Sequence, residues 1–122
     1  PLIHWREKKH KTDMARFNVM KMEKELNDTR DKASLEVQQN RFNLESGFQK
    51  LDLAKGNMAQ AGETLSEVKL SYETGLNSIT DLLNAQAGYQ RALANLTETK
   101  ANLEILKSAY LKSLGILASN SR

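Results

Sequence analysis

Between Leu44 and Tyr72 a large apolar residue returns every seventh position, at Leu44, Leu51, Met58, Leu65 and Tyr72. Three positions after each comes a second row, mostly small: Gly47, Ala54, Ala61, Val68 and Gly75. Two apolar rows at heptad spacing form the a/d seam of a coiled coil. A second stretch repeats the arrangement. Leu82, Tyr89, Leu96, Leu103, Tyr110 and Leu117 make its large row; Ala85, Ala92, Thr99, Leu106 and Ser113 make its smaller one. No proline falls within either stretch. The pattern predicts an all-α chain with helices over residues 6–74 and 79–117.

The two periodic stretches are joined at Tyr72–Gln86 (YETGLNSITDLLNAQ). Gly75 can adopt positive φ without the penalty of a Cβ, which a sharp helix stop requires. Ser78 stands where an N-cap belongs, and Asp81 follows three residues later as an Asp variant of the capping box. The turn is therefore placed at residues 75–78. A connection this short implies antiparallel neighbours. In that register the large row of each helix covers the small row of the other, and the backbones approach closely.

Upstream of Leu44 the seam weakens. Val37 and Ala33 continue it, but Asn40, Arg30 and Glu23 fall on core positions. Phe17, Val19, Leu26, Leu35 and Phe42 spread over more than one face. At 1.5 Å per residue the helices are about 100 Å and about 60 Å long. The second helix then reaches back only to about Arg30. The rest of the first helix projects with an uncovered apolar surface, which is not stable alone. Partners are needed, either other copies or missing parts of the same protein, and the isolated chain is expected to self-associate. Gly47, Gly56 and Gly62 each cost about 1 kcal/mol in a helix interior, so a break of the first helix is allowed in that region. Gly115 reads as fraying or a cap. Residues 1–5 (PLIHW) read as the end of a strand or a linker, and residues 118–122 as a disordered tail.

Composition narrows the chemistry. The chain has 122 residues and a net charge of +3. Residues 1–32 hold nine Lys/Arg and six Asp/Glu, whereas residues 33–122 hold nine of each. The excess lies mostly in Arg6, Lys8, Lys9 and Lys11, too small a cluster for nucleic-acid binding to be expected. Cysteine is absent, which removes disulfides, thiol nucleophiles and thiolate-held metals. His4 and His10 have no metal-ligand neighbours at helical spacing, so no metal site is expected. Met14, Met20 and Met22 read as adaptable packing, and Trp5 as an interfacial or packing residue. There is no Gly-rich phosphate loop and no His placed with a nucleophile and a carboxylate. Neither an enzyme activity nor a cofactor is expected. No apolar run is long enough to span a bilayer as a helix. The chain opens at Pro1 without a secretory leader pattern, which reads as a processed chain or a piece of a larger one.

Three stretches together resemble the TolC family of outer membrane efflux proteins. The opening PLIHWREKKHK is similar to the family's passage from a barrel strand into a basic long helix. YETGLNSITDLLNAQ resembles its Tyr-x-x-Gly-x-x-Ser/Thr-x-x-Asp-x-Leu-x-Ala turn, and YLKSLGIL resembles the close of its second helix. The similarity covers nearly the whole chain. The resemblance implies a homotrimer of duplicated chains, forming a β-barrel in the outer membrane of a Gram-negative bacterium and an α-helical barrel in the periplasm. Such channels serve multidrug efflux and type I secretion. This segment is then the periplasmic hairpin of the second repeat and does not itself cross the membrane. The implied partners are a periplasmic adaptor and, through it, an inner membrane pump. By the same resemblance, Thr74, Gly75, Leu76, Asn77 and Ser78 form the tip that receives the adaptor. Tyr72, Asn77, Asp81 and Asn84 are the pore-gate candidates. Some relatives carry Arg at the position of Asn77 and Asp at that of Asn84. The neutral residues here imply a gate held by hydrogen bonds, weaker than one locked by charge.

Other readings of the same residues stay open at this point. Tyr72 is either a gate residue or an a-position core aromatic in register with Leu65. Asp81 faces the gate, favours the helix N-terminus through the dipole, or does both. Leu76 is a partner contact or an ordinary exposed leucine. The chain as a whole could instead be a cytoplasmic coiled-coil interaction module, which the small-residue seam and tight turn serve equally well. A surface-active amphipathic helix fits less well, because residues 33–122 carry no net charge.

Overall fold

A computed structural model describes residues 2–122 of the chain. Helix α1 spans Leu2–Glu73 and helix α2 spans Ile79–Asn120. They run antiparallel as one hairpin, with no strand among the described residues. At 1.5 Å per residue, α1 is about 108 Å long and α2 about 63 Å.

The contact between the helices is the predicted double seam. Every member of the two α2 rows is buried or half-buried, as are Leu44, Leu51, Met58 and Leu65 and the row Gly47, Ala54, Ala61 and Val68 on α1. The small row of α1 is the more deeply covered of its two rows. Ala54 keeps only 2% of its surface and Leu103 of α2 only 4%. A Cβ added to Gly47 would lie 2.8 Å from Leu106 Cδ1 and 3.2 Å from Leu103 Cδ1. Glycine at position 47 is therefore part of the fit: two leucines of α2 occupy the space that a side chain would take.

The seam ends in polar contacts. Asn40 donates a hydrogen bond to the Ala109 carbonyl at 3.4 Å, which accounts for a polar residue on a core row. Ser113, buried on the smaller row of α2, is satisfied by donating to the Tyr110 carbonyl at 2.8 Å. Arg30 Nε reaches the Asn120 carbonyl at 3.4 Å, at the C-terminal end of α2. That carbonyl has no partner within its own helix, and a cation is favoured at this pole of the helix dipole. The reach of α2 back to Arg30 agrees with the length argument.

Several expected boundaries shift. α1 is continuous through Gly47, Gly56 and Gly62, so the allowed break does not occur. The helix ladder on either side carries the glycines through, and at Gly47 packing favours the missing side chain. Leu2–Trp5 belong to α1 and not to a strand end or linker; Pro1 lies outside the described residues. With no neighbouring strand among those residues, a helix is the conformation that satisfies this backbone internally. Residues 118–120 extend α2 beyond Leu117, and the Ser121 N–H closes the last turn on the Leu117 carbonyl at 3.2 Å. Only the final two positions of the expected tail are outside the helix. Gly115 lies inside α2 and neither caps nor frays it.

Residues 2–32 are exposed throughout. This overhang is about 46 Å of helix with no second layer. Leu2, Ile3, Trp5, Met14, Phe17, Met20 and Met22 all stand in solvent there.

Candidate functional site at the hairpin tip

Helix α1 stops in a Schellman motif. Gly75 has φ +78°, and no other described residue has positive φ. Its N–H donates to the Tyr72 carbonyl at 3.0 Å, and the Leu76 N–H donates to the Ser71 carbonyl at 2.8 Å. These are the 5→2 and 6→1 bonds that define the motif with glycine at C′. The Asn77 N–H also reaches the Ser71 carbonyl, at 3.2 Å. Thr74 adds its hydroxyl, which donates to the Leu70 and Ser71 carbonyls at 3.2 and 3.1 Å. The Ser71 carbonyl is thus the hub of the turn. Sequence inspection passed over it, although counting back from a C′ glycine identifies the acceptor.

Helix α2 starts with a reciprocal cap. The Asp81 N–H donates to Ser78 Oγ at 3.2 Å, and the Ser78 N–H donates to Asp81 Oδ2 at 3.0 Å. The cap uses Asp81 at the positive pole of the helix dipole, as the spacing predicted. The turn is therefore closed locally from both sides, at the Leu70, Ser71 and Tyr72 carbonyls of α1 and at the Ser78 and Asp81 N–H groups of α2.

That shape presents apolar side chains to solvent. Leu76 is 81% exposed. In a Schellman motif the residue at this position often packs back on C3 or C4; here C3 is the polar Ser71, and Leu70 at C4 is itself 64% exposed. Ile79 and Leu83, one turn apart on α2, are also exposed. Sequence reading missed both. Their signal was a spacing of four offset by one from the Leu82 row.

The remaining candidates do not form a cluster within one hairpin. Tyr72 is 40% exposed and lies outside the core. The seam continues instead through half-buried Ser71, so the heptad row does not carry Tyr72 into the interior. Asn77 is half-buried in the turn. Asn84 lines a shallow groove with Gln60, Thr64 and Gly88. No hydrogen bond links Tyr72, Asn77, Asp81 and Asn84 to one another among the described residues. No metal-ligating cluster occurs among those residues either.

The profile of the outer membrane efflux protein family matches residues 1–115. The chain belongs to that family, which makes it a component of an outer membrane efflux channel, a transport assembly. The family's channels oligomerise and work with other efflux components. Neither the comparison with characterised proteins nor that with solved structures gave a significant match. No described helix is long and apolar enough to cross a membrane. Membership in this family displaces the cytoplasmic coiled-coil reading.

Proposed function

We propose that this hairpin is a periplasmic segment of the channel, that its helices help wall the export tunnel, and that its tip docks a periplasmic adaptor linked to an inner membrane pump. The observation that carries the reading is the tip itself. Leu76, Ile79 and Leu83 stand exposed on or beside a turn that is already closed by local hydrogen bonds, which lowers the ordering cost of docking there. An apolar patch on a rigid support suits the face of a partner helix.

The wall role draws on the flanks. Leu35, Phe42 and Leu53 on α1, and Ile105 and Leu111 on α2, are exposed away from the shared seam. A hairpin with apolar residues on its outer faces is suited to neighbours on both sides, as in a closed ring of hairpins from three subunits. On this reading the gate is formed between subunits. Tyr72, Asn77, Asp81 and Asn84 would meet their counterparts across the pore, and adaptor binding would draw the tips apart. One oxygen of Asp81 is held by the Ser78 N–H, leaving the other for a contact across the pore.

A photo-crosslinking residue at Leu76 of the parent channel tests the docking in cells. The expected product is an adduct with the adaptor; adducts confined to other channel subunits would overturn the docking role. Gly75→Val supplies a second arm. A β-branched residue at φ +78° is strained by about 1–2 kcal/mol or more, and drug export should fall sharply. Unchanged export would count against a working tip. Because residues 2–32 of α1 are left uncovered, the 122-residue chain is also expected to self-associate in solution. Sedimentation as an extended monomer would refute that.

A further inference from the structure

We infer that residues 2–17 of α1 carry a binding surface for anionic lipid headgroups, distinct from the hairpin tip and independent of the tip's role. Residues 2–17 contain five Lys/Arg (Arg6, Lys8, Lys9, Lys11, Arg16) and two Asp/Glu (Glu7, Asp13). Their net of +3 equals the net charge of the whole chain, so the other residues balance. The excess sits on the part of the molecule that α2 leaves bare.

The cations are interleaved with large apolar groups. Trp5, Lys8, Lys9 and Arg16 border one groove, and Arg6 and Lys9 border the adjoining one; Asp13 lies on both, so the cations outnumber the acid on each. Lys9 Nζ lies 5.6 Å from the centre of the Trp5 ring. Leu2, Ile3 and Trp5 are all more than half exposed. Glu7, the acid closest to the apolar end, is offset by Lys11 at 3.8 Å. A tryptophan and aliphatic side chains set among lysines and arginines are the composition of an interfacial helix. The rings and alkyl chains enter the headgroup region, while the cations reach lipid phosphates on flexible stems. A polyanion without an apolar layer would satisfy the charges and leave Leu2, Ile3 and Trp5 in water, which favours the membrane surface over nucleic acid.

Trp5 is the only tryptophan, so its fluorescence reports on this surface. The intact 122-residue chain should show a blue-shifted, brighter emission with phosphatidylglycerol vesicles, relative to the same sample without vesicles. The shift should be absent with phosphatidylcholine vesicles and should be lost at about 0.5 M salt. Neutralising Lys9→Gln and Arg16→Gln together should weaken partitioning by about 30-fold, at about fivefold per cation. Both residues are exposed, and unchanged helical circular dichroism would verify that the variant still folds. The control pair Lys69→Gln and Lys100→Gln, in the paired half, should bind as the parent does. No response to anionic vesicles, an equal response to zwitterionic ones, or undiminished binding by K9Q/R16Q would overturn the proposal. So would an emission change produced by a DNA oligonucleotide and not by vesicles.

Discussion

Residues 33–120 and residues 2–32 are built from the same regular helix, yet only the first region has an interior. The smaller seam row of α1 continues into the overhang as Leu26, Val19, Thr12 and Trp5, still mostly apolar. The larger row changes character, reading Arg30, Glu23, Arg16 and Lys9 where the paired half has Leu44, Leu51, Met58 and Leu65. One apolar row without its companion makes too narrow a stripe to hold a second helix. Helix continuity and helix pairing thus have separate causes. The first comes from the local ladder and the absence of proline, the second from two matched rows and a mate of sufficient length.

The comparison is most easily broken by deleting large side chains from each region. Leu103→Ala empties a site closed by Gly47 and should cost about 2–5 kcal/mol in urea unfolding followed by helical circular dichroism. Met20→Ala in the overhang should change stability by less than about 0.5 kcal/mol. Similar costs for the two would mean that the overhang is packed in solution, and the contrast would fail.

Filling the close approach is the next strongest test. Gly47→Leu must displace Leu103 and Leu106 and should destabilise by about 1–3 kcal/mol. An unaffected midpoint would show that the helices are farther apart at this level than the 2.8 Å approach requires.

The tip sharpens the comparison, because it is ordered by hydrogen bonds and not by a core. Ser78→Ala removes the acceptor for the Asp81 N–H and should cost about 1 kcal/mol. Amide exchange should rise at residues 78–82 and stay unchanged at Leu103. A uniform rise along α2 would indicate that the cap is coupled to the whole seam.

One expected effect has the opposite sign. A Cβ at Gly56 would meet nothing within 4 Å, so Gly56→Ala should stabilise by about 0.5–1 kcal/mol through helix propensity alone. A loss of stability there would reveal a close neighbour on that face.

Much of this architecture was legible before any coordinates. Both seam rows of α2, the turn at Gly75 and the Ser78–Asp81 cap follow from spacing, because heptads and caps are local rules. The helix ends were less legible. Leu2–Trp5 and residues 118–120 carry no strong stop or start signal, and backbone self-satisfaction extends a helix in the absence of one. The heptad count also misled at Tyr72. Extrapolating by sevens carries it inward, but the seam at the tip passes through Ser71, where the chain is already turning into its Schellman bonds. Ile79 and Leu83 escaped notice because their exposure depends on which face of α2 the seam takes.

What the residue order determined alone was the pair of rods, their reversal at a glycine and their unequal lengths, since each depends on interactions within a few turns. Tertiary structure decided which leucines close over Gly47, which polar side chains bridge the helices at Asn40 and Arg30, and which apolar groups remain in water at the tip and along residues 2–32. Those outcomes depend on the rotation of one helix about its axis against the other, and that angle is set only when both surfaces meet.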